Sequence, residues 1–112
     1  MATITVTYDG SELTMSDRGL TNASKSEVIH WQPGEGVHAV TNVTAKSSTP
    51  TSTEKFWKDA PEQNGVNFKG KINSDLADNQ TWDWDYDITC NIGTASNPVP
   101  KSKDPRIQVL SK

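Results

Sequence analysis

The stretch Trp82-Asp83-Trp84-Asp85-Tyr86-Asp87-Ile88-Thr89-Cys90 decides the fold class. Even-numbered members are apolar or aromatic and odd-numbered members are polar, without exception. An extended chain turns alternate side chains to opposite faces, so a strand puts Trp82, Trp84, Tyr86, Ile88 and Cys90 on one face and Asp83, Asp85 and Asp87 on the other. A helix would scatter both sets.

The same period recurs on either side. Ile4, Val6 and Tyr8 alternate with Thr3, Thr5 and Thr7, and Asp9-Gly10 turns the chain back into residues 12–15, where Leu13 and Met15 share a face. An apolar run at 27–31 stops at Gln32-Pro33-Gly34-Glu35-Gly36, and strand character resumes over 37–44. There Val37, Ala39, Thr41 and Val43 share one face, and His38, Val40, Asn42 and Thr44 the other. Asn64-Gly65 introduces residues 66–72, with Val66, Phe68 and Gly70 opposed to Asn67, Lys69 and Lys71. Asp104-Pro105 leads into 106–110, with Ile107 and Val109 inward. Residues 16–24, 45–53, 73–80 and 91–103 read as polar loops. Thr51 with Glu54 fits a capping box and Pro61 is a stop, so one or two helical turns are expected over 54–60, pinned by Phe56 and Trp57. About seven short strands and one short helix describe an all-β, single-domain, antiparallel Greek-key β-sandwich over residues 1–112.

Composition agrees with a small all-β domain. Ser, Thr and Asn make up 32 of the 112 residues, which favours turns and strand surfaces over helix interiors. Leu, Ile, Val and Phe number only 20, so the core is lean and its bulk must come from four Trp, two Tyr and two Phe. No apolar stretch approaches the roughly 20 residues of a membrane span. The net charge of −3 and the lack of a Lys/Arg cluster argue against a nucleic-acid partner, since Lys101, Lys103 and Arg106 form only a sparse run. Asn22, Asn42 and Asn79 head Asn-x-Ser/Thr triplets at about the frequency chance supplies, and carry no weight. Cys90 is the single cysteine and the N-terminus reads as a strand without a leader, so a cytoplasmic, reducing compartment is expected. Small domains without staples often gain stability by pairing, which makes a homodimer through an edge strand an expectation too.

The order of elements resembles the cupredoxin-like β-sandwich. The carriers are the Ile4/Val6 strand; Val28-Ile29-His30-Trp31 ending in a Gly/Pro turn and followed by Val37-His38-Ala39-Val40; a loop with a short helix; Tyr86-Asp87-Ile88-Thr89-Cys90; and Ile107-Gln108-Val109. Alternating strands with Gly/Pro turns are also similar to immunoglobulin-like sandwiches. In copper-binding cupredoxins a histidine stands where His38 stands and a cysteine where Cys90 stands, so the resemblance implies two copper ligands. That family places a second histidine, and usually an axial methionine, shortly after the cysteine. Residues 91–99 contain neither, and a blue-copper site requires two imidazoles and a thiolate. The resemblance therefore implies the fold without a complete copper site, and no cofactor is expected.

The candidate chemistry is correspondingly sparse. His38 and Cys90 are the metal-ligand candidates, weighed against a buried structural thiol and a solvent-facing imidazole. Asp83, Asp85 and Asp87 form an acidic stripe that could meet a cation or a basic partner. Alternate strand residues stand roughly 6–7 Å apart, too far to converge easily on one ion, so a solubilising stripe that blocks edge pairing is the stronger reading. Trp57, on the expected helix, is the better candidate for an exposed ring that could stack on a glycan, while Trp82 begins a face that continues into the core. No nucleophile–base pair, paired acids or phosphate loop occurs, and Gly34-Glu35-Gly36 lacks the Gly-Lys-Ser/Thr continuation. The expectation is a non-enzymatic binding or structural module for a protein or glycan, with residues 32–36, 45–57 or the acidic stripe as its surface. A copper-binding protein using His38 and Cys90 is the alternative.

Overall fold

The computed structural model describes residues 2–46, 56–76 and 79–111. The fold is all-β. Ten strands run in chain order: β1 (Ala2–Tyr8), β2 (Leu13–Met15), β3 (Leu20–Ala23), β4 (Val28–Pro33), β5 (Ala39–Ala45), β6 (Trp57–Asn64), β7 (Asn67–Ile72), β8 (Gln80–Asn91), β9 (Pro100–Lys103) and β10 (Arg106–Ser111). They form two packed sheets, one in the order β2-β1-β4-β7-β6 and the other β3-β10-β8-β5, with β9 also paired to β8.

The deciding stretch lies within β8, as its alternation requires. Trp84, Tyr86, Ile88 and Cys90 are buried, and Trp82 at the start is half-buried. Residues 80–85 pair with β10, 86–91 with β5 and 88–91 also with β9, so β8 lies between β10 and β5 in its sheet. From the other sheet, Ile4, Val6, Ile29, Trp31, Phe68 and Ile72 face it. An aromatic cluster fills the space between: Trp84 stacks on Tyr86 at 5.0 Å and meets Trp57 edge-on at 5.0 Å, while Trp31 meets Tyr86 edge-on at 5.7 Å. Trp31 Nε1 donates to Tyr86 Oη at 3.0 Å, a buried bond that ties the sheets together.

The structure corrects several expectations. The sheets are mixed rather than purely antiparallel: β1 runs parallel to β4 (Ala2↔Ile29 through Val6↔Pro33), and β3 parallel to β10. Alternation says which face a side chain takes and nothing about strand direction. After the β1–β2 hairpin the chain crosses to the far sheet for β3 and returns for β4, so β4 meets β1 without a hairpin to reverse it. Three strands lie where the sequence predicts loop or helix. β3 and β9 are four polar-rich residues each, made extended by pairing with β10 and β8. The helix expected over 54–60 is a strand from Trp57 onward; the capping pair Thr51 and Glu54 lies outside the described residues. Pro61 is tolerated because β6 is an edge strand whose ladder is broken there, with Asp59 opposite Lys71 and then Glu62 opposite Lys69.

Candidate functional site

The acidic stripe points outward, but its carboxylates are matched within the second sheet. Gln108, directly opposite Asp83, donates Nε2 to its Oδ1 at 2.8 Å. Arg106, directly opposite Asp85, holds both carboxylate oxygens, Nε to Oδ1 at 2.5 Å and Nη2 to Oδ2 at 3.2 Å, and reaches Asp83 at 3.8 Å. Lys46 lies 2.9 Å from Asp104 and 4.0 Å from Asp87. The Lys46 ammonium holds the Asp104 carboxyl below the usual carboxylate range. The stripe is thus engaged across the strands by Arg106, the neutral Gln108 and Lys46.

Trp57 is not exposed. Only 3% of its surface is accessible, its ring lies between Trp31, Phe56 and Trp84, and no stacking platform for a sugar exists at this residue. Its six-membered ring rests on β7 at Gly70, where an added Cβ would stand 2.9 Å from Cζ3. Its Nε1 is buried without a hydrogen-bond partner.

Cys90 is a free thiol in the core, and burial pushes its pKa up to about 12. His38 is exposed, its backbone N–H donating to Asn91 O at 2.8 Å. The structure therefore separates the two metal-ligand candidates into core and surface. Among the described residues no three His, Cys, Asp or Glu side chains are grouped to hold an ion, and no helix is long and apolar enough to cross a membrane.

Sequence reasoning missed two surfaces. At the β6 edge a cleft of about 370 Å³ is lined by Asp59, Ala60, Glu62, Gln63, Asn64, Lys69 and Gly70. Two register shifts carry Ala60 and Pro61 out of the ladder and open it. Among the described residues Asp59, Glu62 and Lys69 make no ion pair across it, and Gln63 Nε2 donates to Gly65 O at 3.3 Å at this rim. The only sequence signal was Pro61 between charged residues, which reads equally well as a helix stop. The second surface is a groove of about 250 Å³ lined by Thr14, Met15, Arg18, Gly19 and Lys103, where β2 comes alongside β9. Arg18 and Lys103 are 85 residues apart in sequence, and no local pattern announces their meeting. No protein-family model matches this chain, and no curated protein matches it at a significant level.

Proposed function

We propose that the chain is a non-enzymatic interaction module that engages a protein partner at the β6 edge. One observation carries this reading: a concavity of about 370 Å³ opens at that edge, and its charged side chains are not spent on one another, unlike those of the β8 stripe. Polar groups already positioned lose little side-chain entropy when a partner hydrogen-bonds to them. A protein is favoured over a glycan because the ring that would stack on a sugar, Trp57, is covered. Of the two families the sequence resembles, immunoglobulin-like sandwiches are built of antiparallel sheets, so the parallel pairs β1/β4 and β3/β10 support the cupredoxin-like reading.

Photo-crosslinking tests the surface. With p-benzoylphenylalanine in place of Ala60, an extract of the source organism is expected to yield a discrete adduct that a control at Asn22, on the outer face of the second sheet, does not. Asp59→Lys combined with Glu62→Lys should abolish it. Identical adducts from both positions, or an adduct indifferent to the charge reversal, would overturn the assignment.

A further inference from the structure

Away from the β6 cleft, the open side of the sandwich between β2 and β9 carries a second, chemically different concavity. We infer that the groove lined by Thr14, Met15, Arg18, Gly19 and Lys103 binds a small carboxylate carried on a short apolar body, clamped between the Arg18 guanidinium and the Lys103 ammonium.

Neither cation is in a salt bridge among the described residues, and the charge nearest Lys103 in sequence, Asp104, is held by Lys46 at 2.9 Å while also feeling Lys103. The salt bridges around the second sheet involve Lys46 and Arg106, and among the described residues neither Arg18 nor Lys103 donates a side-chain hydrogen bond. Lys103 is nonetheless half-buried. Asp17, next to Arg18 in sequence, spends one carboxylate oxygen on the Gly19 N–H at 2.9 Å and the other on the Thr21 hydroxyl. In a chain of net charge −3, two cations from distant segments, neither in a salt bridge, line one groove together with Met15. A charged head for the cations and an apolar body for that wall is the complementary ligand.

Size narrows the class. At about 250 Å³ the groove falls below the roughly 300–1,000 Å³ of ordinary small-molecule sites, so it takes a fragment the size of one residue rather than a whole cofactor. A free organic acid and the C-terminal residue of a polypeptide both present that chemistry. The local backbone also bears on Arg18. It sits at φ 59°, in the left-handed region where glycine is at ease and an arginine is strained. Glycine at this position therefore keeps the turn while removing the guanidinium and its methylene stem, and Lys103→Gln, which keeps most of its stem, isolates the charge.

N-acetyl-leucine is the probe, titrated into the 15N-labelled full chain while the amide shifts of Thr14, Arg18, Gly19 and Lys103 are followed. Saturable shifts confined to the groove are expected, with a dissociation constant on the order of a millimolar. N-acetyl-leucinamide, which lacks the charge, and inorganic phosphate, which lacks the apolar body, should each bind about tenfold more weakly or worse. Arg18→Gly and Lys103→Gln should each weaken binding about tenfold while the melting temperature holds or, for Arg18→Gly, rises. A hexapeptide ending in leucine that binds more tightly than N-acetyl-leucine assigns the site to a partner's C-terminus; equal affinity assigns it to a free acid. The inference fails if N-acetyl-leucine gives no saturable shift by about 20 mM. It also fails if the neutral amide binds as well, or if both variants bind undiminished. Because none of these residues lines the β6 cleft, the outcome is independent of the cross-linking result.

Discussion

Two buried indoles differ in one respect that stability measurements can isolate. Trp31 Nε1 has the Tyr86 hydroxyl at 3.0 Å, whereas Trp57 Nε1 has no partner. Trp31→Phe and Trp57→Phe remove rings of the same size from the same cluster, so their packing losses largely cancel in a comparison. Trp31→Phe should cost more in urea unfolding, by about 1 kcal/mol, since only there is a made hydrogen bond lost. Tyr86→Phe leaves the Trp31 N–H orphaned and should cost about 1–3 kcal/mol. Equal costs for the two tryptophan variants would contradict the role given to the Trp31–Tyr86 bond. The burial of Trp84, Tyr86, Ile88 and Cys90 was legible in the sequence because period-2 alternation is a property of the backbone itself. The burial of Trp57 was not. Whether an isolated aromatic residue is covered depends on what packs over it, here Gly70 from a strand that follows in sequence.

At the scale of the strand, β6 and β7 show how one glycine admits an aromatic residue. Gly70 lies beneath the Trp57 ring, and a methyl there would meet Cζ3 at 2.9 Å and Asp59 O at 3.2 Å. The ring cannot retreat, because Phe56 and Trp84 stand behind it at 5.1 and 5.0 Å. Gly70→Ala should therefore destabilise the fold by about 1–3 kcal/mol, the usual result of overpacking a filled core, measured by urea denaturation. A neutral result would mean that β6 is held more loosely than its packing indicates. The edges also bear on self-association. β2, β3 and β9 have three or four residues each, and β6 is interrupted by Pro61 and two register shifts. That leaves β5, with seven residues, as the edge that could pair with a second copy. Sedimentation across a range of concentrations checks this, and a monomer at all of them removes the dimer.

For the whole molecule, the packed interior sets a response to alkali. Burial raises the Cys90 thiol from its ordinary value of 9.0 to about 12, while the unfolded chain ionises near the ordinary value. The folded state thus holds its proton over a window in which the unfolded state releases it. The contribution is complete below about pH 9 and is lost as pH rises from there toward 12. Tyr86, whose phenol is also raised by burial, acts in the same direction. Unfolding free energy should therefore decline above about pH 9, and Cys90→Val should make the decline shallower. Ellman's reagent should label the native thiol slowly and the unfolded thiol at once. Rapid native labelling would show that the core opens at this strand.

The amino-acid order alone determined the all-β class, the main hydrophobic faces and seven of the ten strands, because those follow from alternation and from turn residues acting over a few positions. Tertiary structure decided the rest. β3, β6 and β9 are extended through their pairing with distant partners, and the parallel pairs arise from the path between sheets. Cross-strand register set the acidic stripe against Arg106 and Gln108, and the closing of the sandwich brought Arg18 to Lys103. Each of these depends on contacts between segments far apart in the chain, which no local pattern of residue types encodes.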